Sequence, residues 1–231
     1  SCRYFCMKNS PVTRFIWIRH APVEKETGYV PDHDPNARYD AGAAERLGRA
    51  MPENARWIMS PLKRTRQTAE QVRQHLNHQA QHPEDEHIEP DIIEQDLGRW
   101  AGAQLADVWQ ELAPLPKHNF SFQRAETQPP DGEKFADQCI RIAAYLNAQE
   151  VRIAAEKDTR THVMFAHAHT IRAVIAHCFG LAPDTALSIA VDNYSRTIFD
   201  YLPPEPPVTG SLTPAGGNWQ LMGLNLPATE A

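Results

Sequence analysis

Two arginines, two histidines and one carboxylate stand just past short apolar runs in this chain. Arg19 and His20 close a short apolar run, Phe15-Ile16-Trp17-Ile18. Arg64 follows Arg56-Trp57-Ile58-Met59, Glu94 follows Ile92-Ile93, and His167 follows His162-Val163-Met164-Phe165-Ala166. Arginine forks match phosphate oxygens in a bidentate way. A neutral imidazole is a competent nucleophile near physiological pH, and a carboxylic acid beside the leaving group can protonate a departing alcohol. Taken alone, Arg19-His20 fits a solvated pair at a strand end as well as an active site. The set points further than the pair.

The elements that must position these residues can be read in order. Length and β-branched content make residues 15–18 a buried strand, stopped by Pro22. Residues 23–40 are rich in turn and breaker types and read as an irregular loop, either a cover for a site or a plain connection. Asp40 is placed to cap a short helix with Ala43, Leu47 and Ala50 inward and Pro52 at its end. Arg56–Met59 is a second strand. Ser60 and Pro61 then read as the cap and first turn of a helix whose apolar face is Leu62, Ala69, Val72 and Leu76. Arg64 falls in its first turn, where the helix dipole disfavours a cation unless an anion sits beside it. Arg66 points to the surface.

Residues 77–87, with His78, His82 and His87, lack metal-ligand spacing and read as a solvated loop. Ile88 to Ile93 reads as a short strand ending in Glu94, with Gly98 and Gly102 allowing turns around Trp100. Residues 113–132 form a long proline-bearing connection. A helix starts at 131–133 with Phe135, Cys139, Ile142 and Leu146 inward. Strand 162–166 leads into a helix with Ile171, Val174, Ile175 and Cys178 inward and Gly180 at its C-terminus. Ser188–Val191, Thr197–Leu202 and Trp219–Leu221 read as late strands. Alternating strands and helices predict an α/β domain, three layers α/β/α, with a mostly parallel central sheet. In such sheets ligands bind outside the carboxyl ends of the strands.

At these positions the chain resembles the histidine phosphatase superfamily, the phosphoglycerate mutase-like enzymes. The family's Arg-His-Gly stands here as Arg19-His20-Ala21, and its Ser-x-Leu-x-Arg with Gln-Thr-Ala as Ser60-Pro-Leu62-Lys-Arg64 followed by Gln67-Thr68-Ala69. Its Glu-x-x-x-Gly-x-Trp-x-Gly stands as Glu94 to Gly102, and its His-Gly-x-x-Ile-Arg as His167-Ala168-His169-Thr170-Ile171-Arg172. Each motif is weak alone, but four in family order at successive strand ends are specific. The resemblance implies a histidine acid phosphatase-type phosphoric monoester hydrolase. His20 would attack phosphorus, Arg19, Arg64 and His167 would hold the equatorial oxygens, and Glu94 would donate a proton to the leaving oxygen, which asks for a raised pKa. Ala168 and His169 would be substrate contacts, and no cofactor or metal would be needed.

The chain departs from the family at Ala21 and Ala168, which replace glycines, and at His169, a further substrate contact or a helix N-terminal residue. Pro22 and the following loop do not carry the Glu and Asn in the places where the mutases have them after Arg-His-Gly, which favours a phosphatase over a phosphomutase. The Arg-His-Ala-Pro form is similar to bacterial members grouped near α-ribazole phosphatase. A non-catalytic phosphate-binding module and a metal site on His162, His167, His169 and His177 are the readings from other classes. Trp100 is expected to pack and position Glu94, and Glu133 to cap its helix or meet substrate. Arg172 would support the site from behind, and Asn193 would be a turn residue or a ligand contact.

Composition sets the outer bounds. With 231 residues, 42% hydrophobic and 23% charged, the chain fits one large globular domain, expected over residues 12–231, behind a loose segment 1–11. Ser1–Met7 has no long apolar core and reads as a leader remnant, with Met7 as a native start. A formal charge of −6 argues against nucleic acid as a partner, and no apolar run argues for a membrane. Cys2, Cys6, Cys139 and Cys178 are scattered and point to a reducing, cytoplasmic setting. The expected partner is a small phosphorylated substrate, with a dimer left open. The loops 23–40 and 113–132 are expected to set specificity.

Overall fold

The fold is taken from a computed structural model that describes residues 12–77, 85–204 and 217–228. Its centre is a six-stranded sheet. Strands β1 (Thr13–Arg19), β2 (Arg56–Met59), β3 (Glu86–Ile88) and β4 (His162–Ala166) run parallel in the order β3-β2-β4-β1. Two antiparallel strands, β5 (Arg196–Tyr201) and β6 (Trp219–Leu226), extend it beyond β1. Five of the seven β1 residues are buried because β1 lies between two parallel or antiparallel partners and under two layers of helix, the reason its sequence is an unbroken apolar run rather than an alternation.

Alternate residues of that run go to opposite faces. Phe15 and Trp17 pack with α4 (Phe135–Glu156) and α5 (Ala168–Phe179), through residues such as Ile142, Leu146, Ile171 and Val174. Ile16 and Ile18 pack with α1 (Ala41–Arg49) and α2 (Lys63–Arg73), through Leu47, Ala69 and Val72. The three layers and the mostly parallel sheet are those expected. Asp40 caps α1 by accepting from the Ala43 N–H at 3.0 Å, and Gly180, at φ 61°, ends α5. A small third cluster forms where α3 (Leu105–Leu112) meets Trp100, Leu97 and Phe122.

Four expectations are corrected. Residues 88–93 are not a strand. Pro90 lacks the N–H a ladder needs, so Pro90–Ile92 form a 3-10 turn, and the strand is the exposed segment Glu86–Ile88, which takes His87 out of the expected loop. His78 and His82 lie outside the described residues, as do 1–11 with Cys2 and Cys6. Ser188–Val191 is turn rather than strand and follows a short helix α6 (Pro183–Ala186). Ser60 does not cap α2: the helix begins at Lys63, after Pro61, and its Lys63 N–H is met instead by Asp34 Oδ1 at 2.7 Å from the 23–40 loop. Helix α4 begins at Phe135 with Lys134 at its cap, and Glu133 pairs with Arg141 at 2.9 Å. Trp100 does pack, but its indole N–H donates to Glu111 at 2.7 Å on α3.

Candidate active site

The carboxyl end of β1 is fixed by backbone on both sides. The His20 N–H donates to the Ala166 carbonyl at 3.0 Å, the Arg19 N–H to Ser195 at 3.2 Å, and the Tyr194 N–H returns to the Arg19 carbonyl at 2.9 Å. Tyr194 sits in the left-handed region at φ 58°, which turns Asn193 so that its Nδ2 donates to the His20 carbonyl at 2.7 Å. Arg19 donates from Nη1 to the Val191 carbonyl at 2.6 Å. The Ala21 N–H donates to Thr68 Oγ1 at 2.8 Å, and that hydroxyl donates to the Arg64 carbonyl at 2.6 Å, so β1 and α2 are tied at the site.

His20 is buried, and its Nδ1 lies 2.6 Å from the Ala21 carbonyl. A carbonyl only accepts, so Nδ1 carries the proton and Nε2 keeps its lone pair. Burial, then the Arg64 charge, pushes the His20 pKa down to about 3. The ring is neutral at physiological pH. Arg64 is also buried, and its Nη1 donates to the His33 carbonyl at 3.1 Å.

Glu94 is held at the start of α5. Its Oε2 accepts from the His169 N–H at 3.4 Å, and its Oε1 accepts from the Gln95 N–H at 3.1 Å and from Gln138 at 3.4 Å. Burial works to raise its pKa, but His169, His167, Arg64 and the Gln95 N–H together hold it below the usual carboxylate range. Carboxylates are stabilised at helix N-termini for the same reason anions are. His169 lies 5.3 Å from the Phe135 ring, and burial lowers its pKa to about 4.

Arg19, His20, Arg64, Glu94, Ala168 and His169 line one cleft of about 850 Å³. His167 does not reach its wall. It is fully buried, its ring 5.1 Å from that of His20, and its Nε2 is 2.7 Å from Ser60 Oγ, while Nδ1 has no hydrogen-bond partner. Two residues of the site were not assigned from sequence. Ser60, expected as a cap, pairs with His167, and His33 supplies the carbonyl for Arg64. Ser60 lies inside a motif and His33 in the 23–40 loop, and the roles of both depend on tertiary contacts that residue spacing does not encode. Arg172, on the cleft wall, donates from Nε to the Ile189 carbonyl at 2.8 Å. His162 and His177 stand apart from the site, paired with Asp158 and Glu150, and no group of three His, Cys, Asp or Glu side chains suited to a metal is found among the described residues.

A family model for the histidine phosphatase superfamily, branch 1, matches residues 31–210. The chain belongs to that superfamily. The match starts beyond Arg19-His20, which enter the same cleft through the β1–β4 pairing. Histidine phosphatase membership brings an activity of phosphatase or phosphomutase type. No curated relative matches the sequence.

Solved structures agree on the fold of this histidine phosphatase. A mycobacterial glucosyl-3-phosphoglycerate phosphatase is 20% identical, with a TM-score of 0.66 over 93% of this chain and 99% of that one. A candidate α-ribazole-5'-P phosphatase from Escherichia coli is 18% identical, with a TM-score of 0.69 over 94% and 99%. The Bacillus stearothermophilus protein YhfR is 20% identical, with a TM-score of 0.70 over 93% and 97%. No helix among the described residues is long and apolar enough to cross a membrane.

Proposed function

We propose that this histidine phosphatase is a phosphomonoesterase of the acid phosphatase type, one domain over residues 12–231, that hydrolyses a small phosphorylated metabolite through a phosphohistidine. The observation that carries the reading is His20: a neutral ring with its Nδ1 proton engaged by Ala21 and its lone pair on Nε2, set beside Arg19 and Arg64. Nε2 attacks phosphorus, the bond to the alcohol oxygen breaks, and that oxygen takes a proton from Glu94. Water then attacks the phosphorus, gives its proton to Glu94, and the P–N bond breaks. Arg19 and Arg64 stabilise the charge on the equatorial oxygens, and His167 assists from behind His20.

Glu94 must hold a proton for the first step, although Arg64 and the two histidines favour its charged form. A phosphate dianion between the arginines offsets those cations and adds negative charge near the carboxyl, which moves its pKa up. The substrate then loads its own acid. The thiols of Cys139 and Cys178 are free, which fits a reducing, cytoplasmic compartment.

The test is hydrolysis of an aryl phosphate with an alkaline denaturing quench, followed by acid treatment of the trapped protein, by the wild type and by His20→Ala. The expected result is an acid-labile phosphoenzyme in the wild type and neither phosphoenzyme nor turnover in the variant. Turnover retained by His20→Ala would overturn the reading. Phosphate returned to an added alcohol phosphate, rather than to water, would assign a phosphomutase instead.

A further inference from the structure

The cleft changes character away from His20. Four arginines line it. Arg19, Arg64 and Arg172 gather around Glu94, whose charge acts on each of them. The fourth, Arg141, is already occupied: Nε and Nη2 donate to Glu133 at 3.1 and 2.9 Å, and Nη1 donates to the Asp91 carbonyl at 2.5 Å. Beyond the three arginines around Glu94, the cleft wall therefore holds no arginine with a free guanidinium. Of the carboxylates that line the cleft, Asp32 and Asp96 are the exposed ones, while Glu133 is paired with Arg141. Asp96 accepts from the Gly98 N–H at 2.8 Å and lies 3.5 Å from His33 Nδ1.

The same outer wall carries two phenylalanines. Phe120 is 75% exposed, yet its backbone is held by a hydrogen bond from its N–H to His118 Nδ1 at 3.1 Å. Phe122 is braced edge-on against Trp100, 6.4 Å between ring centres. Two aromatic rings on the cleft lining offer an apolar surface for a ligand.

We propose that the alcohol part of the substrate is apolar or aromatic and carries no second anionic group, with Phe120 as the specificity-determining contact and Asp32 and Asp96 excluding anions. The inference rests on the phosphomonoesterase reading for its catalysis but not for its binding. A carboxylate or second phosphate in the outer cleft would lose its hydration and meet two carboxylates with no free arginine to pair with. An aromatic group would gain contact with Phe120.

The test uses the full chain and three phosphonates that cannot be hydrolysed: phenylphosphonate, methylphosphonate and phosphonoacetate. Calorimetry gives their affinities, and kcat/KM is measured in parallel for phenyl phosphate and 3-phosphoglycerate. The expected order is phenyl, then methyl, then phosphonoacetate, with phenyl over methyl by roughly tenfold, the worth of burying part of a ring. Phe120→Ala should remove most of the phenyl-over-methyl ratio, and Asp32→Asn with Asp96→Asn should narrow the methyl-over-phosphonoacetate ratio. Phosphonoacetate binding as well as or better than methylphosphonate, an unchanged ratio in Phe120→Ala, or no binding of any phosphonate would each overturn the proposal. Selective binding without hydrolysis of either ester would support it and remove the phosphatase reading. Hydrolysis that prefers 3-phosphoglycerate would do the reverse.

Discussion

Strand β4 carries a buried histidine at each end, and the two ends treat charge in opposite ways. At its start, His162 Nε2 lies 3.4 Å from Asp158 Oδ2. The same carboxylate takes two bonds from Arg160, both at 3.0 Å, and one from Arg152 at 3.4 Å. Arg56 and Arg160 also share Asp85, at 3.2 and 2.9 Å. Every cation there has a carboxylate within reach. At the other end, His167 sits behind His20, and Glu94 is the carboxylate whose charge acts on all three of Arg19, Arg64 and Arg172, with Asp192 acting also on Arg19 and Asp34 on Arg64. Burial lowers the pKa of both histidines, His162 to about 4 and His167 well below its ordinary value. Burial and residue type therefore do not tell a site from a scaffold. The crowding of three arginines around one shared carboxylate does, because an added anion can meet them where they converge.

The sharpest way to break that comparison is to remove one charge from each end. Arg64→Met should lower kcat/KM on an aryl phosphate by roughly a thousandfold, since it removes a donor aimed at transition-state charge. It should leave the urea midpoint little changed, because like charges are being relieved. Asp158→Ala should cost about 2 kcal/mol in urea unfolding by removing the buried carboxylate that accepts from Arg160 and Arg152, with kcat/KM per folded molecule intact. If both variants lose activity and stability alike, the two ends are not distinct. Inorganic phosphate sharpens the same contrast. At about 100 times its dissociation constant it should add about 2.7 kcal/mol, a rise of roughly 5–10 °C in Tm for a chain of this size. Arg64→Met should lose most of that rise and Asp158→Ala should keep it.

Acid separates the two ends next. In the unfolded chain these histidines titrate near 6.5, but in the fold His20 titrates at about 3 and His162 and His169 at about 4, each lowered first by burial. Below pH 6.5 the unfolded state therefore binds protons that the folded state refuses, so stability is full above 6.5 and falls as the pH drops toward 4 and 3. Phosphate should change this at one end only. Its charge offsets the arginines beside His20 and moves that pKa up, while His162 stays at about 4. Imidazole proton shifts followed by NMR with and without phosphate would show it, and an equal shift at both rings would contradict the local nature of the charge demand.

Much of the site was legible because its anchors are strand ends. An unbroken apolar run that stops at a charged residue marks both a buried parallel strand and its carboxyl edge, so the sequence alone puts Arg19, His20, Arg64 and His167 on one edge. Glu94 was placed correctly for a partly wrong reason. Its segment was read as a strand, but Pro90 breaks the ladder, and the true strand, Glu86–Ile88, is exposed and polar and so carries no period-two signal. Helix α3, not among the elements expected from sequence, does carry the signal, with Leu105, Val108 and Leu112 at helical spacing. What spacing could not show is long-range pairing: Asp34 capping α2, Ser60 turned to His167, and Asn193 on the His20 carbonyl. These depend on where loops return, and a loop's path is set by contacts far away in sequence.

The smallest test is a matched pair of lost hydrogen bonds, one per end. Asn193→Ala removes the 2.7 Å bond to the His20 carbonyl, and Thr13→Val removes the bond from the Thr13 hydroxyl to the Asp158 carbonyl while keeping the shape. Each should cost about 1 kcal/mol in unfolding. Only Asn193→Ala should also touch turnover, by roughly tenfold in kcat with little change in KM, because a nucleophile held slightly off line loses rate before it loses affinity. The equal stability cost makes the kinetic difference readable. Were kcat to fall equally in both, the strap at 191–195 would be structural support and no more, and the positioning of His20 would have to be credited to the β1–β4 pairing alone.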